Sequence, residues 1–299
     1  MSRKIIYLIN PISGTRGKSS LQELITRRTT AQQIDFCIQP TNAEGNYDHL
    51  PALITTERIT DIVVCGGDGT VSAVAAALAG SPIRIGIIPM GSGNGLAYAA
   101  KIPKDPSRAL DIIFSGSASW IDGFTINGRF SCMLCGIGFD AKVAHEFARQ
   151  KTRGLQTYVR VSLHEFFTTG SSPYRIRVGD HSFPIAAFFI SIANGNQFGN
   201  NVTIAPQASL QDGLLDIVIV KKMNRLRTLL SVIGQVLGRN ALQEIPSGPG
   251  RKNILYFQTD NLSIDNPQEA PLHIDGDPAP TAKEFHIRVM PKVFQLIQP

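Results

Sequence analysis

The stretch Val63-Val64-Cys65-Gly66-Gly67-Asp68-Gly69-Thr70 constrains this chain more than any other. Asp61 to Cys65 is apolar and β-branched, the composition of a buried strand. Glycines then surround one aspartate, and the alanine-rich run from Val71 to Ala79 reads as a helix ended by Gly80 and Pro82. Strand, glycine turn and helix start together make an anion site. The first helical N–H groups lack intrahelical partners, and the helix dipole favours negative charge there. Glycine also lets a phosphate lie against the backbone without a Cβ in the way. An acid in such a turn repels a phosphate unless a cation lies between them. Asp68 therefore points to a metal, most simply Mg²⁺ held by oxygen and water. A lone Gly-x-Gly would favour a tight turn with no ligand; Gly-Gly-Asp-Gly-Thr in this setting favours the phosphate.

Around that stretch the first half of the chain alternates strands and helices. Lys4 to Ile9 is an apolar strand, followed by the turn Asn10-Pro11-Ile12-Ser13-Gly14 and a helix starting near Ser19. Gly17-Lys18-Ser19 imitates the end of a P-loop, but that pattern needs glycine five places before Gly17, where Ile12 stands. The P-loop is rejected, although Ser13 and nearby N–H groups could still meet a phosphate. Ile34 to Gln39 is a second strand ending at Pro40-Thr41, and residues 46–56 read as a helix. Arg84 to Pro89 is a further strand, opening onto Met90-Gly91-Ser92-Gly93-Asn94-Gly95. This turn fails the dinucleotide pattern because Leu96 takes the place of its third glycine. One more helix is expected over 105–114. Such alternation implies a mainly parallel sheet with ligands at the carboxyl ends of its strands. The turns at 10–14, 66–70 and 91–95 all fall at those ends, and their convergence outweighs any one of them.

Near Trp120 the rhythm changes to short strands and turn signals, such as Phe124-Thr125-Ile126 before Asn127-Gly128 and Tyr174 to Val178 before Gly179-Asp180. Further runs at 185–192, 215–220, 254–259 and 272–275 complete an expected antiparallel β domain with inserted helices. One helix is predicted over 141–167 with a break at Gly154. Another spans 226–237, with Leu226, Leu229, Leu230, Ile233, Val236 and Leu237 on one stripe between basic flanks. The stripe is expected to pack on the sheet and leave the charges solvated; a basic amphipathic helix lying on an anionic membrane is the lesser alternative.

Composition narrows the classes. A chain of 299 residues suits two domains, and a net charge of +6 suits an anionic partner without choosing one. Basic and aromatic residues are not interleaved, which argues against nucleic acid. Ile5 to Ile9 is too short for a secretory h-region, and no apolar run nears the roughly 20 residues that span a bilayer. The expectation is a cytoplasmic protein, at most transiently membrane-associated. Cys132-Met133-Leu134-Cys135 has no second pair to complete a zinc site, so buried strand thiols are the plainer reading; the histidines form no ligand pattern either.

The turns carry a resemblance. Asn10-Pro11-x-Ser13-Gly14, Gly66-Gly67-Asp68-Gly69-Thr70 and Pro89-x-Gly91-Ser92-x-Asn94 come first. Gly136-x-Gly138-Phe139-Asp140, Asn194-Gly195 and Ile204-Ala205-Pro206-x-Ala208 follow. Asp212-Gly213-x-Leu215-Asp216 and Asp275-Gly276-Asp277 complete the set. In this order, over nearly the whole chain, they resemble the diacylglycerol kinase catalytic-domain family, which includes bacterial lipid kinases and sphingosine kinases and is a cousin of the NAD kinases. The resemblance implies an α/β nucleotide-binding domain over 1–120 with 285–299, and an antiparallel β-sandwich-like, lipid-binding domain over 121–284. It implies an enzyme that uses ATP and Mg²⁺ to phosphorylate a membrane lipid, and it leaves a homodimer open. Asn10, Pro11, Ser13, Gly14, Thr41, Gly66, Gly67, Asp68, Gly69, Thr70, Ser72, Ser92 and Asn94 would bind the nucleotide. Asp68 would hold the catalytic Mg²⁺, Asp275 would take the proton of the lipid hydroxyl, and Asp277 would support the base or the metal. A second, structural Mg²⁺ is implied at Asp212 and the carbonyl of Leu214. Phosphoryl transfer needs a metal and a carboxylate of this kind. Asp275 and Asp277 alternate along a segment expected to be extended, which would turn both to one side; a hydrated Asp-Gly turn is the plainer reading.

The chain departs from the family pattern in four places. Gln211 stands where many relatives have an acid. Ser72-Ala73 replaces the usual Asn-Glu. Gly-Ser-Gly-Asn-Gly is closer to sphingosine kinases than to Gly-Thr-x-Asn-Asp, and Asp277 replaces a common glutamate. NAD kinase activity, or a non-catalytic lipid- or nucleotide-binding role, is the alternative.

Overall fold

The computed structural model describes residues 2–11, 18–42, 44–152, 154–197 and 203–299. It divides into two compact units, one of Met1–Asp122 with Lys292–Pro299 and one of Gly123–Pro291.

The first unit is a parallel sheet with helices. Strands β1 (Lys4–Ile9), β2 (Asp35–Pro40), β3 (Asp61–Gly66) and β4 (Arg84–Pro89) lie in the order β2-β1-β3-β4. All pair in parallel, Ile9 opposite Cys65 and Gly66 opposite Pro89. Every residue of β3 is buried, as its unbroken apolar run requires of a strand covered on both faces. Helices α1 (Lys18–Ala31), α2 (Leu50–Glu57), α3 (Asp68–Ala77), α4 (Gly95–Ala99) and α5 (Pro106–Ser115) belong to this unit. The start of α5 is fixed by Asp105, whose side chain accepts from Arg108 N–H, with proline in the first turn. At the amino ends of the strands, Asp61 is fully buried and neutralised by Arg3 at 3.1 Å and Arg84 at 2.8 Å.

The second unit is mainly antiparallel. Strand β5 (Ser117–Ile126) begins in the first unit and ends in this one, and with β6 (Arg129–Ser131) and β7 (Leu134–Gly138) leads into α6 (Phe139–Ala148) and α7 (Leu155–Thr168). The helix expected over 141–167 is two: α6 ends at Ala148, before the expected break, and Gly154, at φ +112°, is the N-cap of α7. Then come β8 (Ser172–Val178), β9 (His181–Ala193), β10 (Leu215–Lys221), α8 (Arg225–Val236), β11 (Ile254–Thr259) and β12 (Asn261–Asp265). The hairpin of β13 (Leu272–Ile274) and β14 (Asp277–Ala279) precedes β15 (Glu284–Gln298). The long β9 pairs with β8, β7 and β10, and residues of these strands, Ile137, Ile176, Ile190 and Ile217, share one core with Phe124 of β5 and Phe285 of β15. The start of β15 pairs with β12 in this unit; in the first unit its last residues Gln295 and Leu296 pair in parallel with Arg84 and Ile85.

One expectation is overturned here. The apolar stripe of α8 does not pack on the sheet. Thr228 and Gln235 are its buried residues, whereas Leu226, Leu229, Leu230, Ile233 and Leu237 are exposed. Gln235 fixes this rotation by donating from Nε2 to Ile204 O at 2.8 Å and accepting from Asn240 at 2.9 Å.

Candidate functional site

In the first unit the sequence-predicted residues gather at the carboxyl ends of β1, β3 and β4. Asn10 donates its backbone N–H to Cys65 O at 3.0 Å and its Nδ2 to Thr70 Oγ1 at 3.2 Å, tying the turn after β1 to that after β3. Met90 N–H bonds to Gly66 O at 2.9 Å, tying the turn after β4 to the same place. A Cβ added at Gly91 would lie 2.6 Å from Gly67 Cα, so these turns approach as only glycine permits. Asn94 is buried in the left-handed region at φ +53°, where its side chain accepts from Gly91 N–H at 2.8 Å and donates to Gly91 O at 2.7 Å. Thr41, at the end of β2, is buried and donates its N–H to Ile9 O at 3.0 Å.

Gly67 caps α3 in an extended conformation, and Asp68, Gly69 and Thr70 form the helix's half-buried first turn. The positive end of the helix thus lies beside a carboxylate, in a cradle that a Cβ would fill. That donor set fits a phosphate bridged to Asp68 by a hard divalent ion, which takes carboxylate, phosphate and water oxygens. Ser92 and Pro11 are exposed. Ser72, expected among the nucleotide contacts, is buried within α3, one turn inside the helix. Ser13 and Gly14 lie outside the described residues.

In the second unit Asp275 and Gly276 are the two loop residues of the β13–β14 hairpin, with φ of +50° and +86°. Positive φ at both is the mark of a type I′ turn, which Asp-Gly favours. The expected extended segment is therefore corrected: Asp275 is buried in the turn and Asp277 is exposed on β14, so the two do not alternate along one strand. The Asp275 carboxylate collects donors from the chain before β7. Ser131 Oγ lies 2.6 Å from Oδ1, Met133 N at 3.2 Å and Leu134 N at 3.1 Å, while Cys132 N lies 3.4 Å from Oδ2. Asp275 N–H in turn donates to Leu134 O at 2.8 Å. An acceptor-only group ringed by donors is the setting that holds an ionised carboxylate in place.

Behind this turn stands a second buried pair. His273 Nδ1 accepts from Gly276 N–H at 3.3 Å, and its Nε2 lies 3.5 Å from Asp140 Oδ2. Asp140 Oδ1 accepts from Ala141 N–H at 2.9 Å, and its Oδ2 is buried without a hydrogen bond. A Cβ on Gly136 would sit 1.9 Å from that Oδ2, so glycine there makes room for the acid. Ser131 and His273 carry no motif that singles them out; Asp140 and Gly136 stand in a quoted motif, but only packing shows their part.

Asp212 caps its own turn, Oδ1 accepting from Leu214 N–H at 3.1 Å, with Gln211 exposed beside it. Neighbouring Asp216 is committed to Tyr256 at 2.6 Å and Gln258 at 3.0 Å, and burial pushes its carboxyl up to about 6. Among the described residues no group of three His, Cys, Asp or Glu side chains could hold a metal. A single exposed carboxylate does not fit a preformed structural Mg²⁺ cage, and no step below uses one. Cys65, Cys132 and Cys135 are buried and form no disulfide.

Comparison with known proteins shows the family. Residues 4–126 match the family model of the diacylglycerol kinase catalytic domain, and residues 134–298 match that of the YegS C-terminal NAD kinase beta sandwich-like domain. A protein described as "Probable lipid kinase YegS-like" from Shewanella frigidimarina is 30% identical over 258 residues, 82% of this chain and 79% of that one. One of the same description from Pectobacterium atrosepticum is 29% identical over 241 residues, 78% and 76% of the two chains. The crystal structure of a diacylglycerol kinase from Bacillus anthracis strain Sterne matches with a TM-score of 0.75 at 19% identity, over 99% of this chain and 97% of that one, a likeness of fold. This chain belongs to the YegS-like lipid kinase family, with a diacylglycerol kinase catalytic domain followed by a β-sandwich-like domain.

Proposed function

We propose that the protein is an ATP-dependent lipid kinase that transfers the γ-phosphate to a hydroxyl of diacylglycerol, a sphingosine-like base or a related membrane lipid. In this reading residues 1–120 with 285–299 bind ATP and residues 121–284 bind the lipid. The observation that carries it is Asp275, a buried carboxylate fixed on a two-residue turn by Ser131 and the backbone N–H groups of residues 132–134. Phosphoryl transfer asks little covalent chemistry of a protein; it asks for positioning, charge neutralisation and a carboxylate that orients the acceptor and takes its proton. Asp275 takes the hydroxyl proton as the oxygen attacks the γ-phosphorus and the bond to the β,γ-bridging oxygen breaks, releasing ADP. The Asn10 and Gly66–Thr70 turns and the first turn of α3 hold the phosphates. Mg²⁺ bound at Asp68 would neutralise phosphate charge. Asp277, exposed on the same hairpin, would support the base from the solvent side.

The test is phosphorylation of a total lipid extract in mixed micelles with labelled ATP and Mg²⁺, with NAD in a parallel tube. Label in one lipid, lost in Asp275→Asn, supports the reading. Label in NADP alone moves the chain to NAD kinase chemistry. ATP binding with no label in either tube makes it a non-catalytic binder, with Ser72-Ala73 in place of Asn-Glu as the difference to restore first.

A further inference from the structure

We propose that the outer faces of α7 and α8 form a docking surface for an anionic lipid bilayer. Helix α8 turns its apolar stripe outward, and α7, which buries Val161, still leaves a second apolar row exposed. On α8, Leu226 is 68% exposed, Leu230 61% and Leu237 60%, while the buried positions are Thr228 and Gln235. On α7, Val159, Leu163 and Phe167 follow one another every four residues along one exposed row, the last 67% exposed, while Glu165 and Thr157 are buried. A helix in water normally turns its polar side outward, because each exposed leucine forgoes burial. Here the inward polar groups are satisfied: Gln235 by Ile204 O and Asn240, and Glu165 by Thr169 Oγ1 at 3.0 Å. The rotation of α8 is thus fixed by the bond from Gln235 to Ile204 O, while the Glu165 bond is local to the end of α7.

The two rows are neighbours. Arg225, at the start of α8, donates to Phe167 O at 3.1 Å and Thr169 O at 2.8 Å at the end of α7. Its guanidinium also lies 5.7 Å from the centroid of Phe166 and 5.6 Å from that of Phe188. Apolar residues from both helices therefore meet around one pinned arginine, and Leu226, Leu230 and Arg227 also line a shallow groove with Asn224, Ser231 and Asn253.

Charge selects the occupant. Residues 221–243 carry Lys221, Lys222, Arg225, Arg227 and Arg239 with no Asp or Glu, and α7 exposes Arg160, whereas Arg149 is paired with Glu146. Exposed apolar rows flanked by cations match an interface of acyl chains beneath anionic headgroups. A second copy seated on the same face would bring these cations against each other, since a twofold interface sets a patch against itself. The inference extends the lipid-kinase reading by naming where the chain meets its substrate's membrane, but its test uses no ATP.

The experiment is flotation of the full chain with vesicles of equal parts phosphatidylglycerol and phosphatidylcholine, against phosphatidylcholine alone. The expected result is binding to the anionic vesicles that falls as salt is raised. The double variant Leu226→Gln, Leu230→Gln alters only exposed side chains and is expected to partition at least about tenfold less. Arg227→Glu is expected to weaken binding at low salt and to remove part of its salt dependence. No vesicle binding, or equal binding by the leucine variant with its thermal midpoint unchanged, overturns the proposal. So does a dimer in light scattering that the leucine variant dissolves, which assigns the face to a second copy. Lipid phosphorylation in micelles without vesicle binding would remove this surface and leave the kinase reading standing; vesicle binding without phosphorylation would do the reverse.

Discussion

The hydroxyl of Ser131 lies 2.6 Å from Oδ1 of Asp275, although 144 positions separate them in the chain. That contact makes the acid's position depend on a residue that does not itself react. Removing a hydrogen bond to a charged group costs about 1.5–3 kcal/mol, so Ser131→Ala should lower kcat for the lipid roughly 10–100-fold while leaving KM for ATP unchanged. Ser131→Thr should restore most of the rate. Steady-state kinetics on the purified variants checks this.

Asp275→Asn should cost about 10²–10⁴ in kcat, the share of a general base. It should also lower the thermal midpoint, because an amide NH₂ would face backbone donors. ATP binding, measured by calorimetry, should survive, because the expected nucleotide residues belong to the first unit and Asp275 to the second. Undiminished turnover would remove Asp275 from the chemistry.

Asp68→Ala should raise the Mg²⁺ concentration needed for half-maximal nucleotide use. It should lower the thermal midpoint only modestly, by the loss of one half-buried carboxylate beside the positive end of α3. A Mg²⁺ titration of activity reads the effect, and an unchanged curve would take the metal away from Asp68.

His273→Leu removes the acceptor of Gly276 N–H and the partner facing buried Asp140. Loss of a buried hydrogen-bond partner costs about 1–3 kcal/mol, and the turn carrying the base should loosen. The expected signature is a fall in kcat larger than the fall in stability accounts for, with His273→Asn recovering part of it.

Thiol labelling at pH 8 should reach Cys37 alone in the native protein. Burial pushes the Cys65 thiol up, and Cys135 is driven well above its ordinary value by burial and then by Asp275 and Asp140. Cys37 is only partly buried, though its thiol is raised too. All four cysteines should label in denaturant. Rapid native labelling at Cys132 or Cys135 would show that the segment beneath Asp275 opens.

Much of this arrangement was legible in the sequence because it rests on local chemistry. Strand β3, its glycine turn and α3 follow from one uninterrupted pattern, and Gly154 marks the start of α7. The hairpin at Asp275 was weighed in both forms, and turn chemistry prevailed because Asp-Gly accepts positive φ at both positions. What was not legible depends on partners distant in the chain. Nothing near Ser131 or His273 announces that they support Asp275. The rotation of α8 was misjudged for the same reason. Its apolar stripe is a local fact, but which side faces inward was decided by Ile204 and Asn240, which accept from and donate to Gln235.

The near-contact of Gly67 and Gly91 has a consequence for how this protein can vary. A Cβ on Gly91 would need the backbone at Gly67 to retreat, and Gly67 caps the helix that carries Asp68. Gly91→Ala should therefore damage nucleotide use more than its one added methyl suggests. The two loops are templates for each other: neither can be lengthened, shortened or reshaped alone. Changes in one should be tolerated only with matched changes in the other, so double variants should depart from the sum of the singles. For a lineage drifting toward a new phosphate donor, the loops after β3 and β4 count as a single heritable trait.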